Sequence, residues 1–217
     1  MGQVRGRGNY IRSGDLLMRY LIVGSSPTVT TSLSVLNRGD FDCVITSNAG
    51  IDLVEPDVYV CIDAVACAIH GQQARAAHAN GARMVTLARD AMSLKSRDVE
   101  WFDEFVLVGK GEPTREAWGK FHFTGPFVLE YALRHGATSV MIIGCDGYRH
   151  GNAEDYYRDD GSKTICSKRA YTRTMEVIGP AWMKLASLFP EVEITQIGDP
   201  LYDITADNWE VFRCQTS

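Results

Sequence analysis

Residues 127–148 decide the fold, because they pair a helix-like segment with a strand-like one. The first part reads Phe-Val-Leu-Glu-Tyr-Ala-Leu-Arg and is followed by His135-Gly136, a usual way for a helix to end. The second part, Ser-Val-Met-Ile-Ile at 139–143, runs into Gly-Cys-Asp-Gly-Tyr. A continuous apolar run of this length is typical of a strand that is buried on both faces of a parallel sheet. The stretch therefore predicts a helix packed on a parallel sheet.

The same alternation extends in both directions from this unit. We expect a helix at 65–80 and a longer one at about 166–188, with a kink at Gly179-Pro180. Strand-like runs lie at 20–23, 42–46, 58–62, 83–87 and 105–108, and a last one is expected at 192–197. The pattern predicts an α/β fold with a mostly parallel sheet and helices on both faces. We expect one domain over 18–217, preceded by a flexible Gly/Arg-rich extension at 1–17.

Composition places the chain among ordinary globular proteins. It has 217 residues, 45% of them hydrophobic, and a net charge of −5. No apolar run approaches the ~18 residues of a membrane span, and the acidic balance gives no reason to expect a nucleic-acid partner. None of the six cysteines forms a CxxC pair. We therefore expect a cytoplasmic protein with reduced cysteines and no disulfides. A homo-oligomer is compatible with the sequence.

Small polar residues follow most of the predicted strands, at the edge where parallel α/β folds bind ligands. Gly24, Ser25 and Ser26 follow the first strand, Asn48 follows the second, and Gly109-Lys110-Gly111 follows the fifth. Glycine allows close backbone approach, and serine hydroxyls beside a helix N-terminus can bind phosphate. The same residue types also form ordinary turns and helix caps. Each motif alone thus leaves both interpretations open, whereas the set favours a ligand site.

Two aspartates and a long polar loop extend this candidate site. Asp63 and Asp146 each end an apolar strand, where a carboxylate can bind a sugar hydroxyl or a metal, and Asp63 can equally cap a helix. Thr124 and Gly125 open the 127–135 helix, as cap residues or as an anion site. Residues 148–163 include Tyr148, Arg149, His150, Tyr156 and Tyr157, a composition suited to a lid over a phosphorylated ligand or to a solvated loop.

The order of these motifs resembles two branches of one superfamily. Gly24-Ser25-Ser26-Pro27, Ser47-Asn48, Phe123 to Phe127 and Ile143 to Tyr148 are similar to motifs of the bacterial lipo-oligosaccharide sialyltransferases. The stretch from Pro56 to Asp63 is similar to the 6-hydroxymethylpterin pyrophosphokinase-like branch, which includes flagellin accessory proteins. The resemblance covers about residues 20–150, and it depends on the order and spacing of short motifs.

The sialyltransferase branch implies a Rossmann-like single domain that transfers a sugar from a CMP-linked donor without a required metal. Carried over, Gly24 to Pro27 and Asn48 line the nucleotide site, and Thr124 and Gly125 contact the donor. Tyr148 binds the donor phosphate with help from Tyr156 or Tyr157. The family's base is a histidine after the second tyrosine, and residues 163–168 contain none. The base in this chain is then His150 or one of three loop aspartates, namely Asp155, Asp159 and Asp160.

Two other functions stay open. The pyrophosphokinase branch implies ATP with Mg²⁺, for which Asp63 and Asp146 are the candidate metal or substrate ligands. A non-catalytic accessory protein that binds nucleotide is the third. We expect a nucleotide-sugar-dependent glycosyltransferase, with His150, Asp146 and Tyr148 as its catalytic candidates and a nucleotide or nucleotide-sugar as its small-molecule partner.

Overall fold

The structure, a computed structural model, describes residues 17–62, 64–87, 102–119, 123–147 and 174–214. Eight parallel strands form one sheet in the order β5-β4-β3-β2-β1-β6-β7-β8. The strands are β1 (Arg19–Val23), β2 (Cys43–Ser47), β3 (Val58–Val60), β4 (Arg83–Leu87), β5 (Glu104–Val106), β6 (Ser139–Ile143), β7 (Glu193–Gly198) and β8 (Trp209–Arg213). The predicted Rossmann-like α/β fold with a parallel sheet is confirmed.

Helices cover both faces of this sheet. They are α1 (Val29–Ser34), α2 (Ala64–Ile69), α3 (Gly71–Ala79), α4 (Thr124–Arg134) and α5 (Gly179–Leu188). Side chains alternate along β1, so that Ile22 belongs to the core under α4 and α5, while Leu21 and Val23 belong to the core under α1. Helix α3 packs through Ala74 and Ala77 over β3 and β4. Because both faces are covered, the described central strands are almost wholly buried.

The main differences from the predicted elements concern two helices and one strand. The helix expected at 65–80 is interrupted at His70, where α2 stops and α3 starts at Gly71. The helix expected at 166–188 is described only from 174, as a π-helical turn over Thr174–Ile178 followed by α5. Pro180 lies in the first turn of α5, directly after the π-helical turn, and the helical conformation continues from Thr174 to Leu188. The expected kink at Gly179-Pro180 stays a prediction. Strand β8 was not predicted.

The expectation of no disulfides is wrong. Cys61, directly after β3, and Cys67, within α2, are bonded with their Cα atoms 6.1 Å apart. Both side chains lie in the core between α2, α3 and the sheet. The six-residue spacing carries no sequence signal, because the turn from β3 into α2 is what brings the two sulfurs together. Cys43, Cys145 and Cys214 are free thiols.

Candidate functional site

A cleft opens at the carboxyl edge of the sheet, between β1 and β6. The chain adds strands on one side of β1 as far as β5 and then returns to add β6 on the other side, so the strand order reverses at this point. The connections after β1 and β6 leave in opposite directions and expose a crevice, the usual ligand site of such sheets. The crevice is partly open to solvent. Its lining comes from four segments: 24–26, 47–48, 123–126 and 144–147, together with Ile178 and Trp182.

Asp146 fastens three of the surrounding loops to one another. Its Oδ2 accepts hydrogen bonds from the hydroxyls of Ser26, at 2.6 Å, and Thr28. Its Oδ1 accepts the backbone N–H of Asp199 at 3.1 Å. These donors follow β1 and β7, whereas Asp146 follows β6. Because the carboxylate is buried and accepts three hydrogen bonds from the protein, we interpret Asp146 as a positioning residue that fixes the cleft wall.

The backbone of Cys145, the residue before Asp146, is also held by hydrogen bonds. The carbonyl oxygen of Cys145 accepts hydrogen bonds from the hydroxyl of Tyr202 and from Nε2 of Gln196, the latter at 3.3 Å. Both donors are buried. Burial, first, and then neighbouring Asp146 raise the pKa of the Cys145 thiol to about 12. The thiol is therefore protonated at neutral pH, which argues against Cys145 as a nucleophile.

The floor of the cleft requires two glycines. A Cβ on Gly24 would lie 2.2 Å from the carbonyl oxygen of Gly144 and 2.7 Å from Sγ of Cys145. Gly144 itself has φ +66°, in the left-handed region, and a Cβ there would lie 2.8 Å from Cβ of Val29. Side chains at either position would push the two loops apart. The glycines thus keep backbone, and not side chains, at the base of the crevice.

Asn48 presents a hydrogen-bond acceptor that has no protein partner among the described residues. It follows β2, has φ +48°, and begins a 3-10 helix over Asn48–Asp52. Its Oδ1 is buried and accepts no hydrogen bond there, although Asn48 lines the cleft. A buried amide oxygen without a donor costs about 1–3 kcal/mol. A ligand that offers a donor at this point would recover that cost.

The N-terminus of α4 forms the wall opposite the β1 loop. Helix α4 begins at Thr124, which is therefore not the cap residue, and among the described residues no side chain caps this end, since Phe123 makes no capping hydrogen bond. The first amides of an uncapped helix lack partners inside the helix and carry a partial positive charge. Gly125 also sits against Trp182, since a Cβ there would come within 2.8 Å of the indole ring. Trp182 thereby sets the position of the helix end.

Most of the described candidates from the sequence gather at this cleft. Its lining includes Gly24, Ser25, Ser26, Asn48, Thr124, Gly125 and Asp146. The remaining candidates lie outside the described residues, namely Asp63, Tyr148, His150, Tyr156 and Tyr157, and with them Asp155, Asp159 and Asp160. Sequence reasoning considered Thr28 only as a possible helix cap, and it missed Gln196, Tyr202 and Trp182. Thr28 directly follows the Gly24 to Pro27 motif, whereas nothing local distinguishes the other three.

The Mg²⁺ alternative draws on Asp146 and Asp63. Both oxygens of Asp146 already accept hydrogen bonds from protein donors, and a carboxylate held in this way can still ligate a metal. In the described ranges, no three His, Cys, Asp or Glu side chains cluster as a metal site would require. The second candidate ligand, Asp63, lies outside those ranges. In the described structure Asp146 serves the cleft as an acceptor for three protein donors.

Comparison with known proteins leaves the cleft as the main guide to function. No protein-family model, curated protein or solved structure matches this chain. Among the helices that the structure describes, none is long and apolar enough to cross a membrane.

Proposed function

We propose that this protein is a nucleotide-sugar-dependent glycosyltransferase with a CMP-linked donor. The observation that carries the proposal is the meeting of the Gly24–Ser26 loop, Asn48 and the uncapped N-terminus of α4 around one crevice. Backbone amides at a helix N-terminus suit a phosphate group, and the orphan acceptor of Asn48 suits an amino or hydroxyl donor. A nucleoside phosphate offers both chemistries in one ligand.

The same arrangement suits departure of the nucleotide from the sugar. As the bond between the sugar and the donor phosphate breaks, charge accumulates on the phosphate oxygens. The first amides of α4 and the hydroxyl of Ser25 are neutral donors that would stabilise this charge. A base must still take the proton of the acceptor hydroxyl, and its candidates, His150 and the loop aspartates, lie outside the described residues. The one charged side chain in the described lining, Asp146, is an acid, so the donors for a phosphate must be backbone amides and hydroxyls.

A thermal-shift screen tests the proposal. CMP, CTP, UDP, ADP and ATP would each be added with Mg²⁺ and with EDTA. A ligand at about a hundred times its Kd adds roughly 2.7 kcal/mol to the unfolding free energy, which raises Tm by about 5–10 °C in a chain of this size. We expect CMP and CTP to give this rise in EDTA, and we expect slow hydrolysis of a CMP-sugar in the absence of acceptor.

Three other outcomes would contradict the proposal in different ways. Stabilisation by ATP only with Mg²⁺ would move the assignment to a diphosphokinase. Stabilisation by CMP without hydrolysis of any CMP-sugar would indicate a binding protein without catalysis. No shift with any nucleotide would mean that the strand-end motifs form turns and caps alone.

A further inference from the structure

A buried acid–histidine pair lies outside the cleft and next to it. Nδ1 of His70 lies 3.1 Å from Oδ2 of Asp52, and the two side chains are 8% and 5% exposed. His70 lies between α2 and α3, and Asp52 is the last residue of the 3-10 helix that begins at Asn48. A carboxylate taken out of water requires a partner of this kind. The pair therefore anchors the Asn48–Asp52 segment to the helices over β3 and β4.

The anchored segment is also held tightly against the cleft. A Cβ on Gly50 would lie 2.5 Å from the carbonyl oxygen of Val23 and 3.0 Å from that of Gly24. The segment thus packs directly on the end of β1, where the cleft begins. Because it is only five residues long, a shift at Asp52 cannot be absorbed without moving Gly50 or Asn48.

The disulfide affects the position of His70, the other residue of this pair. Cys67 lies in α2, three residues before His70, and the backbone N–H of His70 donates to the carbonyl of Ala66 at 2.9 Å. The bond from Cys67 to Cys61 fixes this turn of helix to the end of β3. Helix α2 has six residues, too few to be stable without such packing. The position of His70 therefore depends on the Cys61–Cys67 bond.

We propose that the Cys61–Cys67 disulfide controls the nucleotide cleft through the buried His70–Asp52 pair, so that reduction of the bond loosens Asn48 and weakens ligand binding. The coupling would pass along the chain from Cys67 to His70, through the side-chain pair to Asp52, and along the 3-10 helix to Asn48. The effect on ligand affinity rests on the proposed function, whereas the loosening of residues 48–52 does not.

The redox step needs a dithiol reductant. One dithiol sulfur attacks the disulfide, the Sγ–Sγ bond breaks, and a mixed disulfide forms. The second dithiol sulfur then displaces the remaining protein thiolate. Cys61 and Cys67 end as thiols with one proton each, and the dithiol ends as its own disulfide, so two electrons and two protons are transferred.

Hydrogen exchange, read by mass spectrometry on the full chain before and after dithiothreitol treatment, measures the coupling directly. Peptides that cover 48–52 should exchange about fivefold faster after reduction, while those from β6 should not change. Calorimetric titration with CMP should show an affinity about fivefold weaker for the reduced protein, in the usual range of coupling between sites. Peptide mapping must show the Cys61–Cys67 bond in the oxidised sample and its loss in the reduced one.

His78, within α3, provides a matched control. It pairs with Asp103 at 3.2 Å, and both side chains are about 40% exposed. His70→Gln should give fast exchange at 48–52 in both redox states, whereas His78→Gln should keep the difference between them. If His70→Gln does not fold, the comparison of oxidised and reduced unmodified protein still decides the question.

Each outcome has one meaning. Equal exchange at 48–52 in the two redox states, or free thiols at Cys61 and Cys67 in the air-oxidised protein, would overturn the inference even if CMP binds. Faster exchange after reduction in a protein that binds no CMP in either state would support the coupling and contradict the proposed function. Equal CMP affinity in both states despite altered exchange would overturn control of the cleft.

Discussion

Ser26 and Asp146 lie 120 positions apart in the chain, and the hydroxyl of Ser26 donates a 2.6 Å hydrogen bond to the carboxylate of Asp146. Thr28 and the backbone of Asp199 donate to the same carboxylate. One side chain thus holds together the loops that follow β1, β6 and β7. The shape of the cleft depends on this junction more than on any local turn.

We expect Asp146→Asn to lower the unfolding free energy by about 1–3 kcal/mol, because an amide nitrogen would face donors where an acceptor is needed. Nucleotide-induced stabilisation should fall as well, since the cleft walls would separate. Urea unfolding measures the first effect. The matched control is Asp207→Asn at an exposed position, and equal unfolding midpoints for the two variants would contradict the role assigned to Asp146.

Two substitutions at Asn48 distinguish the contribution of its side-chain oxygen to ligand binding from the contribution of its backbone conformation to stability. Asn48→Gly keeps a residue that tolerates φ +48° and should change the unfolding free energy by less than about 1 kcal/mol. It should nevertheless weaken CMP binding about tenfold, because the ligand loses one hydrogen bond. Asn48→Ala should cost stability in addition, since alanine disfavours this backbone conformation. Unchanged CMP affinity in the glycine variant, measured by calorimetry, would remove Asn48 from the ligand site.

Gly125→Ala tests the contact that positions the N-terminus of α4. The new methyl group would lie 2.8 Å from Cζ2 of Trp182, so we expect a loss of about 1–3 kcal/mol in unfolding free energy. Gly111→Ala, where no atom of the described residues lies within 4 Å of the added carbon, should change it by less than about 0.5 kcal/mol. In a Trp182→Phe background, the alanine at 125 should cost less, because the smaller ring leaves room. Equal penalties in both backgrounds would show that the indole is not the obstacle.

Tyr202→Phe removes the hydroxyl that donates to the Cys145 carbonyl. Burial raises the pKa of Tyr202 well above its ordinary value of 10.0, so the hydroxyl stays protonated and donates throughout the neutral range. We expect a loss of about 1 kcal/mol in unfolding free energy, since Gln196 still donates to the same oxygen. Chemical denaturation at pH 7 measures it. A Tyr202→Phe variant as stable as the parent would show that Gln196 alone suffices.

The stability of the protein should fall in alkaline solution. Burial raises the pKa of Tyr20 from 10.0 to about 12 and that of Cys43, its partner in β2, from 9.0 to about 12. Well below about pH 9 these groups are protonated in both the folded and the unfolded chain, so they do not make the unfolding free energy depend on pH. Between about pH 9 and 12 the unfolded chain loses these protons more readily and is favoured.

Unfolding free energies between pH 7 and 11 check this dependence. They should stay level to about pH 9 and then decline. Cys43→Ala should make the decline shallower, whereas Cys214→Ala at the end of β8 should leave it unchanged. A decline that is identical in all three proteins would assign it to other groups.

The sequence pattern is sufficient to predict the central strands of the sheet but does not predict strand β8 at one edge. Strands β1 to β4 and β6 are continuous apolar runs, because both of their faces are covered. Strand β8 has only Trp209 buried and leaves Phe212 half exposed, so neither a run nor an alternation marks it. The break at His70 is also invisible in the sequence, since an alanine-rich stretch favours one long helix, and packing over the sheet decides otherwise.

The location of the candidate site is predictable from the sequence, but the roles of its residues are not. Strand-end positions bring Ser26, Asn48 and Asp146 to one edge of the sheet, and Gly125 joins them at the start of α4. The sequence indicates Asp146 as a candidate for ligand or metal binding, and the structure shows in addition that its carboxylate accepts three hydrogen bonds from the protein. Such a role depends on neighbours more than fifty positions away, which no local pattern reports. The Cys61–Cys67 bond likewise depends on the turn between β3 and α2, which its spacing does not reveal.

The pairing of β1 with β6 has a consequence for how the protein folds. The two strands at the centre of the sheet are separated by about 120 residues, and every hydrogen bond of their ladder closes a loop of that length. Contacts so distant in sequence form slowly, because the chain loses entropy before they compensate it. A nascent chain that ends before Ser139 contains β1 and β2 yet has no crevice. Binding competence should therefore arise late and all at once, which would make a fluorescent nucleotide a reporter of the last folding step.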